Sequence, residues 1–166
     1  MPKPTKYASY ICTALSLLAL IGIVWGLVKT SPLIILLFLL PAVLYEAYRT
    51  EGASTKWASL AMLIVLICEF FLIIFHINVD LASLLGTSSQ YVGGYWVPLG
   101  QISSLGPILM GILSVILFTR TNGIYTRWLS IVILISCLAM LFTINTAIFK
   151  QILQLGINQG LYRLNF

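Results

Sequence analysis

The chain has 166 residues, of which 60% are hydrophobic and 8% charged, with a mean hydropathy of +1.06. Ordinary soluble domains carry about 25% charged residues, so a water-soluble fold of this composition would lack the polar side chains to cover its surface. The formal net charge of +5 accompanies apolar runs, which suits anionic lipid head groups and does not imply nucleic acid.

A bilayer core roughly 30 Å thick takes about 20 apolar residues per helix. The apolar runs therefore predict an all-α membrane protein, one polytopic domain over residues 1–166 folded as a compact bundle of five transmembrane helices. The spans fall near 7–28, 32–48, 57–77, 100–119 and 128–149. The first follows MPKPTK, which resembles the charged start of a signal peptide. It runs on unbroken to residue 28 with no small-x-small cleavage site behind it, and reads as a retained helix. Its Cys12, Ser16, Ala19, Gly22 and Gly26 recur at three- and four-residue intervals, and Gly22 and Gly26 make a GxxxG. Small residues at that spacing let helix backbones approach in lipid.

Ser31 and Pro32 fit the N-cap and first position of span two. Pro41 inside it frees the carbonyl four residues back and predicts a kink. Residues 45–57 are the most charged stretch and read as a solvated loop. There Glu46 and Arg49 lie one turn apart and pair, and Ser54 or Thr55 caps span three. Residues 78–98 form the longest connection. Its Gly86 to Pro98 part reads as a loop in which Tyr91, Tyr95 and Trp96 resemble an interfacial aromatic belt. Ser104, Gly111 and Ser114 give span four a small-residue stripe, and Ser136, Ala139, Thr143 and Thr146 share a face of span five. The tail 150–166 is weakly amphipathic, which predicts a short interfacial helix. Cys12, Cys68 and Cys137 all fall inside spans and read as packing residues, with no metal-like spacing.

With five spans, Lys3, Lys6, Arg49, Lys56, Arg120 and Arg127 share one side, against Lys29, Lys150 and Arg163 on the other. The positive-inside rule then places the N-terminus in the cytoplasm or its equivalent and the C-terminus on the opposite side.

Span three carries Glu69, with His76 and Asp80 seven and eleven residues on, which puts all three on one helical stripe. A charged carboxylate at a helix centre costs roughly 2.5–3.5 kcal/mol on insertion. The surrounding Leu, Ile, Val and Phe return about 0.3–0.6 kcal/mol each, so the span inserts. Read functionally, the stripe is a proton or cation path or a ligand pocket, with His76 as relay. Read structurally, Glu69 hydrogen-bonds Ser104, Ser136 or Thr143 on a neighbouring helix. A conduction path needs more than one intramembrane ionisable group, and the sequence offers no second one in another span. His76 is the single histidine, which excludes intrachain bis-histidine haem ligation; no cofactor is expected, and axial ligation of haem or chlorophyll by His76 is the alternative. HExxH, CxxC, Gly-x-Ser-x-Gly and glycine-rich phosphate loops are all missing, which argues against an enzyme and gives no metal ligands.

The sequence thus predicts a non-catalytic integral subunit, or an assembly or stabilising factor, of a larger membrane complex. Its partners would be other integral membrane proteins, in a hetero-complex or a homo-oligomer, and the lipid bilayer. Glu46, Arg49 and Trp96 are the candidate docking residues, and Gly22, Gly26 and Gly111 the helix-packing residues. The alternative is a small transporter or channel working through Glu69.

Overall fold

The computed structural model describes residues 7–50, 53–75, 77, 89–92, 95–98, 102–121, 123–146, 149, 150 and 154. Helix α1 covers Ala8–Lys29 and stops at Thr30, whose left-handed backbone (φ 49°) turns the chain. The turn is closed by Thr30 N–H donating to the Leu27 carbonyl at 3.2 Å and Ser31 N–H to the Gly26 carbonyl at 3.0 Å. This uses two of the carbonyls that a helix end leaves without partners. Helix α2, Pro32–Arg49, starts from extended Ser31 with Pro32 in its first turn, as the sequence predicts, although the Ser31 hydroxyl makes no cap bond. It continues helical through Pro41 to Arg49.

Helix α3, Ala53–Ile74, begins ahead of the expected caps Ser54 and Thr55. Beyond it, β1 (Ser89–Val92) pairs antiparallel with β2 (Tyr95–Pro98), with Tyr91 opposite Trp96. This corrects the expectation of a loop there. Tyr, Val and Trp favour strands, and two glycines between such runs are a hairpin signal. A 3-10 turn, Ile102–Ser104, leads into α4, Leu105–Arg120. At 16 residues α4 is about 24 Å long. Among the described residues four helices are therefore long and apolar enough to cross a membrane, and the fifth is shorter. Helix α5, Ile124–Ile144, starts from extended Gly123 and ends at Asn145, whose backbone is extended. The predicted span 128–149 is thus shifted toward the N-terminus. The predicted C-terminal helix lies almost wholly outside the described residues.

The helices form a ring in chain order. Each packs on the next, α1 closes the ring against α5, and α2 crosses it to touch α5. The short connections make α1 to α3 alternate in direction, as do α4 and α5. One end of the bundle, the amino-terminal end, therefore gathers the start of α1, the end of α2, the starts of α3 and α5 and the end of α4. Fully buried Leu36, Leu39, Met62, Leu66, Met110, Leu129 and Ile133 fill the middle. The small stripe of α1 is spent inside the chain, since Phe38 of α2 packs on Gly22 and Ile35 on Gly26. Gly111 differs, because a side chain there would meet Leu134 at an ordinary 3.8 Å.

Polar side chains tie helices together at buried or half-buried points among the described residues. Trp128 Nε1 donates to Ser16 Oγ (2.8 Å) and Ser114 Oγ to the Ser130 carbonyl (2.6 Å). Only 22–39% of the most apolar stretch of each long helix is buried, so most of that surface, including Leu17, Val24, Trp25, Ile64 and Ile131, faces outward. An exposed apolar surface of this extent points to a membrane protein.

Candidate functional site

Among the described residues two carboxylates are buried in the bundle, at opposite ends. Glu46 is fully buried near the end of α2, and Glu69 is 1% exposed in the last turns of α3. The structure corrects two expectations from the sequence, a solvated loop around Glu46 and the lack of a second ionisable group within a span. Helix α2 extends through this stretch because Tyr45 to Arg49 contain no breaker. Ile35, Leu39, Ala42 and Glu46 then repeat at four, three and four residues on its inward face.

Around Glu46, Thr50 donates its hydroxyl to the Glu46 backbone carbonyl (2.7 Å) and approaches Oε1 at 3.2 Å. Half-buried Arg49 reaches across to α1 and α5. Its Nη1 donates to Cys12 Sγ at 3.8 Å, and its guanidinium lies 5.0 Å from the centre of the Tyr125 ring. Two polar atoms here, Glu46 Oε2 and Arg49 Nε, are buried without a hydrogen-bond partner among the described residues. Arg49 thus ties the end of α2 to the starts of α1 and α5. The Glu46 carboxylate points into the chain and not to a docking surface.

Glu69 sits differently. Its carboxylate packs against Gly106, in the first turn of α4, where any side chain would collide with it. A helix start carries backbone N–H groups without intrahelical partners and the positive end of the helix dipole. The hydroxyl of the N-cap residue, Ser104, makes no cap bond there, and Pro107 has no N–H to offer. Glu69 Oε1 is buried with no hydrogen-bond partner among the described residues. Of the hydroxyls expected to meet it, Ser136 donates to the Val132 carbonyl (2.9 Å) and Thr143 to the Met140 carbonyl (2.7 Å), both on their own helix. Ser104 is buried in the 3-10 turn just before Gly106. The sequence reading missed Gly106 as the seat of Glu69; only a tertiary contact reveals it.

Between the two carboxylates lie about 20 Å of bundle, taking 1.5 Å per residue along α3. Leu36, Leu39, Ala42, Val43, Met62, Leu66 and Met110 occupy that interval, all buried. Two buried hydroxyls toward the amino-terminal end of the bundle donate to backbone, Ser59 to the Lys56 carbonyl (3.0 Å) and Ser114 to the Ser130 carbonyl (2.6 Å). His76 and Asp80 lie outside the described residues, and so does the side chain of Trp96, whose backbone is in β2. Cys12 and Cys137 are buried as expected, whereas Cys68 is exposed on the outer face. Among the described residues no three His, Cys, Asp or Glu side chains group as a metal site. No protein family, characterised protein or solved structure matches this chain.

Proposed function

We propose that the chain is an integral membrane protein acting as a non-catalytic subunit, or as an assembly or stabilising factor, of a larger membrane complex. The observation that carries this reading is the apolar interval between Glu46 and Glu69. A conduit needs polar groups in series across the bundle, and this interior is closed by leucine and methionine side chains. Function then falls to the outer surface. There an apolar groove of about 310 Å³ between α4 and α5, lined by Pro107, Gly111, Val115, Leu134 and Leu138 among others, offers a shaped contact face. Arg49, Lys56, Arg120 and Arg127 gather at the amino-terminal end, which by the positive-inside rule is the cytoplasmic or equivalent side.

A transporter working through Glu69 is the second reading, favoured by the presence of Glu46 as a second buried carboxylate. One experiment separates them. The protein is extracted in mild detergent, its particle mass and co-purifying proteins are determined, and the purified chain is reconstituted in vesicles for proton and cation flux. A large particle with constant companions and flux no greater than empty vesicles is the expected result. Flux that is lost in a folded Glu69→Gln variant would overturn the subunit reading.

A further inference from the structure

We propose that Glu69 and the first turn of α4 form a proton-exchange site opening toward the end of the bundle where α3 finishes. It is independent of whether the chain assembles with partners. The site rests on two separate observations. Gly106 leaves a space in the first turn of α4 that the Glu69 carboxylate fills, and the carboxyl, in a residue 1% exposed, has Oε1 without a hydrogen-bond partner among the described residues. Enclosure among apolar side chains and proximity to a helix N-terminus act on a carboxyl in opposite senses. A group held between those two influences is suited to gain and lose a proton.

The chemistry is one O–H bond. A hydronium ion or water delivers the proton to Oε1 and takes it back, while Oε2 stays against Gly106 in both states. Glu69 lies five residues before the end of α3, about 7.5 Å along the axis. The charged side chains on the helices packed against α3 are Glu46 and Arg49 on α2 and Arg120 on α4. They lie with Lys56 at the amino-terminal end, about 20 Å away. The other titratable groups among the described residues of this half are the thiols of Cys68 and Cys137, with Lys29 at the end of α1 and exposed Lys150 beyond the end of α5.

The test uses infrared spectroscopy of the full chain in lipid nanodiscs, with carbon-13-labelled glutamate. The chain has three glutamates, Glu46, Glu51 and Glu69, so an E46Q/E51Q background leaves Glu69 as the sole reporter. The expected result is a label-sensitive carboxylic-acid carbonyl band that appears and disappears reversibly with bulk pH. Adding G106A, which evicts the carboxylate from its seat, should shift both the band and its titration. Should E46Q unfold the protein, the difference between E51Q and E51Q/E69D isolates the same band. The proposal is overturned by a folded protein with no such band at any pH, by a band indifferent to pH, or by a G106A spectrum identical to its parent.

Discussion

Gly106→Ala is the most informative single perturbation, because the structure assigns its effect to one partner. A methyl group there would overlap Oε2, Cδ and Cγ of Glu69, and the nearest relief is to push a buried carboxylate out of its seat. Inserting a methyl into a filled interior costs roughly 1–3 kcal/mol. Alanine in place of glycine returns up to about 1 kcal/mol of helix propensity, less so in a first turn. The expected net loss is therefore about 1–2 kcal/mol. In a Glu69→Ala background the space is vacated, so the same substitution should become neutral or stabilising. The double-mutant cycle should show a coupling of about 1–2 kcal/mol, well above the 0.3–0.5 kcal/mol scatter of independent sites. Reversible unfolding in bicelles measures all four proteins. If Gly106→Ala costs the same with and without the Glu69 side chain, the two residues do not meet and the site as described is wrong.

Alanine at Gly22 or Gly26 should each cost about 1–3 kcal/mol in the same assay, because the new methyl meets Phe38 or Ile35. Gly111→Ala, with 3.8 Å to Leu134, should be neutral or gain up to about 1 kcal/mol; equal losses at all three positions would contradict the helix packing. Thr30→Gly should raise stability by about 1 kcal/mol, since a β-branched residue is held at φ 49°; a loss would show that the Thr30 side chain holds the turn. Ser16→Ala should lower stability by about 0.6–1.7 kcal/mol, the range for hydrogen bonds between membrane helices, and alter Trp128 fluorescence by releasing its indole N–H. An unchanged emission spectrum would refute that contact.

The parts of this fold that were legible in the sequence are those set by run length. Helices α1 and α3 follow from unbroken apolar stretches, and the α1–α2 turn from Ser31 and Pro32. Boundaries near charged residues were not legible in the same way. Glu46 and Arg49 at i and i+3 read equally well as a surface pair and as a helix end turned inward. The signal that separates these is the 35, 39, 42, 46 repeat on α2, which places Glu46 in line with three buried apolar residues. The β1–β2 hairpin was announced by Gly93 and Gly94 between Tyr91-Val92 and Tyr95-Trp96-Val97, but the aromatic residues suggested an interfacial belt instead. The seat of Glu69 on Gly106 had no local signal, since the two residues are 37 positions apart and nothing in either segment names the other.

The placement of the two carboxylates bears on what kind of membrane protein this is. A carboxylate costs most at the centre of a span and less toward its ends, and Glu46 and Glu69 lie within two turns of the ends of α2 and α3. Glu46 lies in the cluster where Arg49 reaches α1 and α5, and Glu69 meets the start of α4. Between them the ring is closed by Leu36, Leu39, Met62, Leu66 and Met110. Substituting one of these, Leu66→Ala, opens a cavity rather than a polar route and should cost about 2–5 kcal/mol without creating flux. A conduit would respond the other way, because widening its constriction would speed passage. Vesicles containing Leu66→Ala therefore separate the two kinds of protein, and proton flux above that of the parent would show that the apolar interval is a gate and not a core.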